Sequence, residues 1–140
     1  MEIHLKIIGF LLLALSAIHL PFPTYFKWKT ELQSLNLMNK QMMYVHTFFV
    51  VLIIVLMALL CIFCSHDLLY THLGRQIGFG LFIFWGIRLV FQLFVYSPKL
   101  WKGKLFETSI HILFSLLWAY ITIVFYMASC TIIHECKPGI

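Results

Sequence analysis

Acidic residues are scarce in this chain. There are five Asp and Glu in 140 residues, and charged residues of both signs make up only 11%. An ordinary soluble domain carries roughly 25%, so a water-facing globule is excluded. Other absences narrow the function. No nucleotide-binding loop and no serine-nucleophile motif occurs, and no stretch between the apolar runs is long enough to hold an extramembrane active site. No basic run or base-stacking platform is present, so the net charge of +5 does not describe a nucleic-acid surface. Internal repeats and low-complexity tracts are also missing, and the apolar runs lack the alternation of outer-membrane barrel strands.

What is there is apolar. Hydrophobic residues reach 62%, and four segments are long enough to cross a membrane: about Leu5–Phe22, Gln41–Ser65, Gln76–Ser97 and Thr108–Cys130. Spanning ~30 Å of hydrocarbon at 1.5 Å per residue takes about 20 residues. In lipid a spanning segment must satisfy its own backbone, which a helix does. The expected fold is all-α, a polytopic membrane four-helix transmembrane bundle with short loops, residues 1–140 forming one integral membrane domain. The first segment resembles a signal peptide in its short apolar core followed by Ala14, Ser16 and Ala17. The charge before it is slight, Glu2 against Lys6, and it is read as the first span.

The first connection is expected to hold more than a turn. Pro21 and Pro23 end the first helix. Thr30 with Gln33 matches a capping box, and Leu32, Leu35, Met38 and Met42 recur at helical spacing. This predicts an amphipathic helix over Glu31–Lys40 on the cytoplasmic surface, between the first and second spans and continuous with the second. The second connection is about ten residues around SHDLLYTHLG, and the third is a turn with Pro98, Trp101 and Gly103. Gly74 and Gly78 form a small-xxx-small pair, which predicts that the third helix is the most enclosed.

Orientation follows from lysine and arginine in the short loops. Lys27, Lys29, Lys40, Lys99, Lys102 and Lys104 lie on one side, against Lys6, Arg75 and Lys137 on the other. Both termini are therefore expected outside, in an integral membrane protein of a bacterial inner membrane. The excess positive charge attracts anionic lipid head groups, and a larger membrane complex or a homo-oligomer is an expected partner.

One cation interrupts the apolar runs. Arg88 lies in WGIRLVFQLFVY, and no carboxylate lies within any span, Glu107 standing at the mouth of the last. A charge at the bilayer centre costs about 2.5–3.5 kcal/mol on insertion scales, so Arg88 needs a partner. His19, His46, Gln92 and His111 fall at similar depth in the four spans. Trp85, Arg88 and Gln92 share one helical face, His111, Ser115, Trp118 and Thr122 another, and Gly9, Ser16 and His19 a third. These stripes are expected to point inward at one polar slab.

Several chemistries fit such a slab. A structural clamp would satisfy Arg88, Gln92 and the histidines among themselves, in a non-catalytic membrane subunit or assembly factor. A b-type haem would take His46 and His111 as axial ligands and Arg88 beside a propionate, for electron transfer or other haem-dependent chemistry. A metal site would gather His19, His46 and His111 around zinc or iron. A quinone or lipid pocket would use Arg88, Gln92 and Trp85 as donors to the head group. The cysteines lie at the opposite face. Cys61 and Cys64 in CIFC, with Cys130 and Cys136 after the last span, are candidate disulfide partners or redox thiols, and thiol oxidation coupled to quinone is an enzyme reading open to this chain. Buried cysteines also serve as small hydrophobes.

Overall fold

The computed structural model describes residues 1–95 and 105–130. Among these the chain is helical, with no strand. Four helices are long and apolar enough to cross a membrane: Glu2–Tyr25, Leu37–Phe63, His72–Val95 and Thr108–Cys130. The turn with Pro98, Trp101 and Gly103, and Cys136 beyond the last helix, lie outside the described residues. The chain divides into two compact units, Ile3–Ser65 and Met1–Glu2 with His66–Ile140.

In the first unit α1 runs Glu2–His19 and stops before Pro21, whose ring disfavours helix in the residue ahead of it. Its buried residues Leu5, Ile8, Gly9, Leu12, Leu15 and Ser16 follow the 3.6-residue period as one stripe. Ser16 is buried at low cost because its hydroxyl donates to the Leu13 carbonyl at 2.7 Å. Gly9 lets α1 approach α4 (Leu37–Phe63), since a Cβ there would sit 2.5 Å from Ile62 Cγ1 and 2.9 Å from the Ala58 carbonyl oxygen.

The connector departs from expectation. In place of one helix over Glu31–Lys40 there are two helical turns, α2 (Phe22–Tyr25) and α3 (Trp28–Glu31), then a 3-10 turn at Leu32–Ser34. Leu35 and Asn36 are extended, with ψ of 146° and 159°. The physical reason is Asn36. Its side chain accepts from the Asn39 amide at 2.8 Å and caps α4, so Leu37–Lys40 become the first turn of a membrane-length helix. The capping box also does not form, because the Thr30 hydroxyl donates to the Lys27 carbonyl at 2.8 Å. Lys27 itself adopts the left-handed conformation (φ 48°) between α2 and α3.

In the second unit the loop around SHDLLYTHLG is largely helical, as α5 (Ser65–Tyr70). Thr71 joins it to α6 (His72–Val90). Its hydroxyl donates to the Asp67 carbonyl at 2.7 Å and accepts from the Gly74 amide at 2.9 Å. α6 continues through a π-helical turn at Phe91–Val95, and α7 covers Leu105–Cys130. α6 and α7 pack antiparallel: Phe82 meets Tyr126, Trp85 meets Trp118, and Gln92 meets His111. The glycine pair is not a single close approach. Gly74 abuts Asp67 and Leu68, whereas a Cβ on Gly78 would meet nothing within 4 Å. The third span is also not the most enclosed, with 22% of its apolar window buried against 33% in the first.

Candidate functional site

The α6–α7 pair brings four of the expected residues together: Trp85, Arg88, Gln92 and His111. Trp85 and Gln92 lie on the buried face of α6 and its π-turn, with Leu81 and Gly78 on the same stripe. Arg88 falls between them, half-buried. Its Nη1 donates to Gln92 Oε1 at 3.5 Å, and its Cζ lies 5.2 Å from the centre of the Trp118 ring. A guanidinium over an indole is a favourable cation–π contact, worth about 2 kcal/mol when desolvated. Trp118 stacks in turn on Trp85, centroids 5.0 Å apart and planes at 20°, and on Phe114 at 5.7 Å. Part of the answer to why a cation tolerates this span is thus an aromatic face.

The π-turn supplies the rest of the geometry. In an i→i+5 register each amide reaches one residue further back than in an α-helix, and a carbonyl is released from the ladder. The Gln92 carbonyl accepts from His111 Nε2 at 3.0 Å. Because a carbonyl only accepts, Nε2 of His111 is the donor in this contact. One residue of α6 therefore serves Arg88 through its side chain and His111 through its backbone.

The hydroxyls on the α7 stripe are occupied differently. Ser115 donates to the His111 carbonyl at 2.8 Å and Thr122 to the Trp118 carbonyl at 2.7 Å, each within its own helix. The indoles have no such outlet. Trp85 and Trp118 are 2% and 3% exposed, and neither Nε1 has a hydrogen-bond partner among the described residues. An unmade buried hydrogen bond costs about 1–3 kcal/mol, so two adjacent cases in one stacked pair call for an acceptor. Trp118, although on the polar stripe of α7, was not singled out as a site residue from sequence. Its period-matched position one turn after Ser115 carried the signal.

The other two histidines lie in the first unit. His19 Nδ1 donates to the Leu15 carbonyl of its own helix at 2.8 Å. His46 is exposed on α4, not turned inward, in an open groove of about 440 Å³ with Met38, Gln41, Met42, Val45 and Phe49. No group of three or more His, Cys, Asp and Glu side chains able to hold a metal occurs among the described residues, so nothing in the geometry favours the three-histidine arrangement. Cys61, Cys64 and Cys130 are free thiols, Cys61 fully buried. Cys61 and Cys64 lie at the end of α4 and Cys130 ends α7, while Cys136 lies outside the described residues.

No protein-family model, no curated protein and no solved structure matches the chain.

Proposed function

We propose that this is an integral membrane protein, its termini outside, that binds an apolar cofactor with a hydrogen-bond-accepting head at the Arg88–Trp118–Trp85 corner in the cytoplasmic leaflet. The observation that carries this reading is the pair of buried indole N–H groups without an acceptor among the described residues. The guanidinium of Arg88, over the Trp118 ring, is a further donor beside them. A quinone suits such a set, because its carbonyls accept hydrogen bonds and its ring stacks on indole faces. Phe114 extends the aromatic wall. The four helices long enough to span lipid, and the excess of lysines in two loops, support the placement.

The test uses the tryptophans as reporters. In detergent, a soluble quinone analogue should quench their fluorescence saturably. Arg88→Ala and Gln92→Leu, which leave both indoles in place, should weaken the saturable component on the order of ten-fold, as loss of a charge-assisted hydrogen bond of about 1.5–3 kcal/mol implies. Linear quenching, identical in wild type and variants, would reduce the cluster to a structural clamp of the kind a non-catalytic subunit needs.

A second reading has one specific observation in its favour. Metal-bound histidines characteristically donate their other ring N–H to a backbone carbonyl, as His111 does to Gln92. A b-type haem would then use His111, with Arg88 beside a propionate. The opposite ligand assigned from sequence, His46, belongs to the other unit. A Soret band lost in His111→Ala would establish this reading over the quinone.

A further inference from the structure

A second polar concavity lies at the other end of the α6–α7 pair. It is open, about 410 Å³ in volume. The first two turns of α6 contribute His72, Arg75 and Gln76 at its rim and Phe79 deeper in. The last turns of α7 contribute Tyr126 and Ser129, with the Cys130 thiol beside them. Arg75 lies 13 residues before Arg88 on the same helix, roughly 20 Å away at 1.5 Å per residue. The two sites therefore belong to opposite leaflets.

The chemistry of this groove is sorted along its depth. At the rim are a permanent cation, an imidazole and an amide, and among the described residues no carboxylate lines it. Arg75 Nε is buried and has no hydrogen-bond partner among the described residues. The Ser129 hydroxyl proton is already given to the Tyr126 carbonyl at 2.7 Å, which leaves Arg75, His72, Gln76 and the Tyr126 hydroxyl as donors for a ligand. The groove also opens at the N-terminus of the 19-residue α6, whose dipole adds positive potential. One turn inward the lining becomes aromatic: Phe79 contacts Phe82 at 5.9 Å, and Phe82 contacts Tyr126 at 5.3 Å. An anion at the rim and hydrocarbon along this rail satisfy both halves.

Arg75 is also out of place by charge distribution. Lysine and arginine avoid the translocated face of membrane proteins, and only Lys6, Arg75 and Lys137 are assigned to it here. A cation kept there, with its Nε buried and without a partner among the described residues, points to an anionic ligand. We propose that this groove holds the phosphate of an anionic phospholipid, with an acyl chain lying along Phe79, Phe82 and Tyr126. The site is separate from the Arg88 corner and does not depend on what binds there.

The test is lipid retention by the whole chain in a neutral detergent, read by native mass spectrometry and by the thermal midpoint. Phosphatidylglycerol should bind as a discrete adduct and raise the midpoint, while phosphatidylcholine of the same acyl chains should not. Arg75→Gln should weaken the phosphatidylglycerol adduct about five-fold or more, the effect of one basic residue near an anionic head group. Arg75→Lys should retain most of it. Gln76→Glu, at an exposed position in the lining, should abolish it by placing a negative charge at the rim. Phe79→Ala should weaken the lipid adduct as well. Inorganic phosphate at millimolar concentration should leave the adduct intact. Equal binding of the two lipids, indifference to Arg75→Gln and Gln76→Glu, or full displacement by inorganic phosphate would each overturn the assignment, the last in favour of a soluble phosphate ligand.

Discussion

Gly74 and Gly78 differ by one helical turn and by everything else that matters to a substitution. A Cβ on Gly74 would overlap the Asp67 carbonyl oxygen and stand 2.6 Å from Leu68 Cα, both backbone atoms that cannot rotate aside. At Gly78 there is open space. Gly74→Ala should therefore destabilise by roughly 1–3 kcal/mol, the usual cost of overpacking, whereas Gly78→Ala should be neutral or stabilise by up to about 1 kcal/mol through helix propensity. Unfolding midpoints in mixed micelles measure the difference. If the two alanines cost the same, α5 does not close on α6 as described. The spacing of the glycines was visible in sequence. Which neighbour each one meets was not, because the short helix α5 lies in a stretch that reads as a loop, and its return onto α6 is set by the two hydrogen bonds of Thr71.

At the scale of elements, the membrane-length helices were legible because apolar length and composition are local properties, and only their ends moved. α4 starts at Leu37, four residues before the expected boundary, since an Asn side chain at 36 competes for the backbone of residue 39 and wins over the weaker capping-box pattern at Thr30. The π-turn at Phe91–Val95 left no trace in the residue pattern. A register change of one residue needs only that the released carbonyl find a donor, and here that donor, His111, comes from 19 positions away. This makes the turn testable. Deleting Leu93, an exposed residue within it, should return the segment to an ordinary α register and take the Gln92 carbonyl away from His111. Helical content by circular dichroism should stay as it was, and saturable quinone quenching should fall to the level of Arg88→Ala. Unchanged quenching would show that the bulge is a packing accommodation with no part in the site. Of the candidate residues, Trp85, Arg88, Gln92 and His111 came together because two neighbouring antiparallel helices share a seam. His19 and His46 belong to the other unit, and depth along an axis says nothing about which way a ring points.

For the whole molecule, the proposed orientation makes a prediction about chemical accessibility that depends on burial as well as on topology. Cys61, Cys64 and Cys130 are thiols at the Cys64 end of α4 and the Cys130 end of α7. With six loop lysines on one side against three cations on the other, both ends are assigned to the outer face. A membrane-impermeant maleimide added to right-side-out vesicles should therefore modify Cys64 and Cys130, which are half-buried, in a Cys136→Ser background that keeps the readout to described residues. Cys61 should stay unmodified until the protein is unfolded, since its side chain is wholly enclosed and out of the reagent's reach. Inside-out vesicles should give the complementary result, no labelling at any of the three. Labelling in inside-out vesicles alone would invert the topology, exchange the leaflets of the Arg88 corner and the Arg75 groove, and remove the charge-distribution argument for the latter while leaving its geometry intact. Rapid labelling of Cys61 in the folded protein would be a different failure. It would mean that the helix face carrying Ile54, Ala58 and Cys61 is open, and that the close approach of α1 at Gly9, opposite Ala58 and Ile62, does not hold in the membrane.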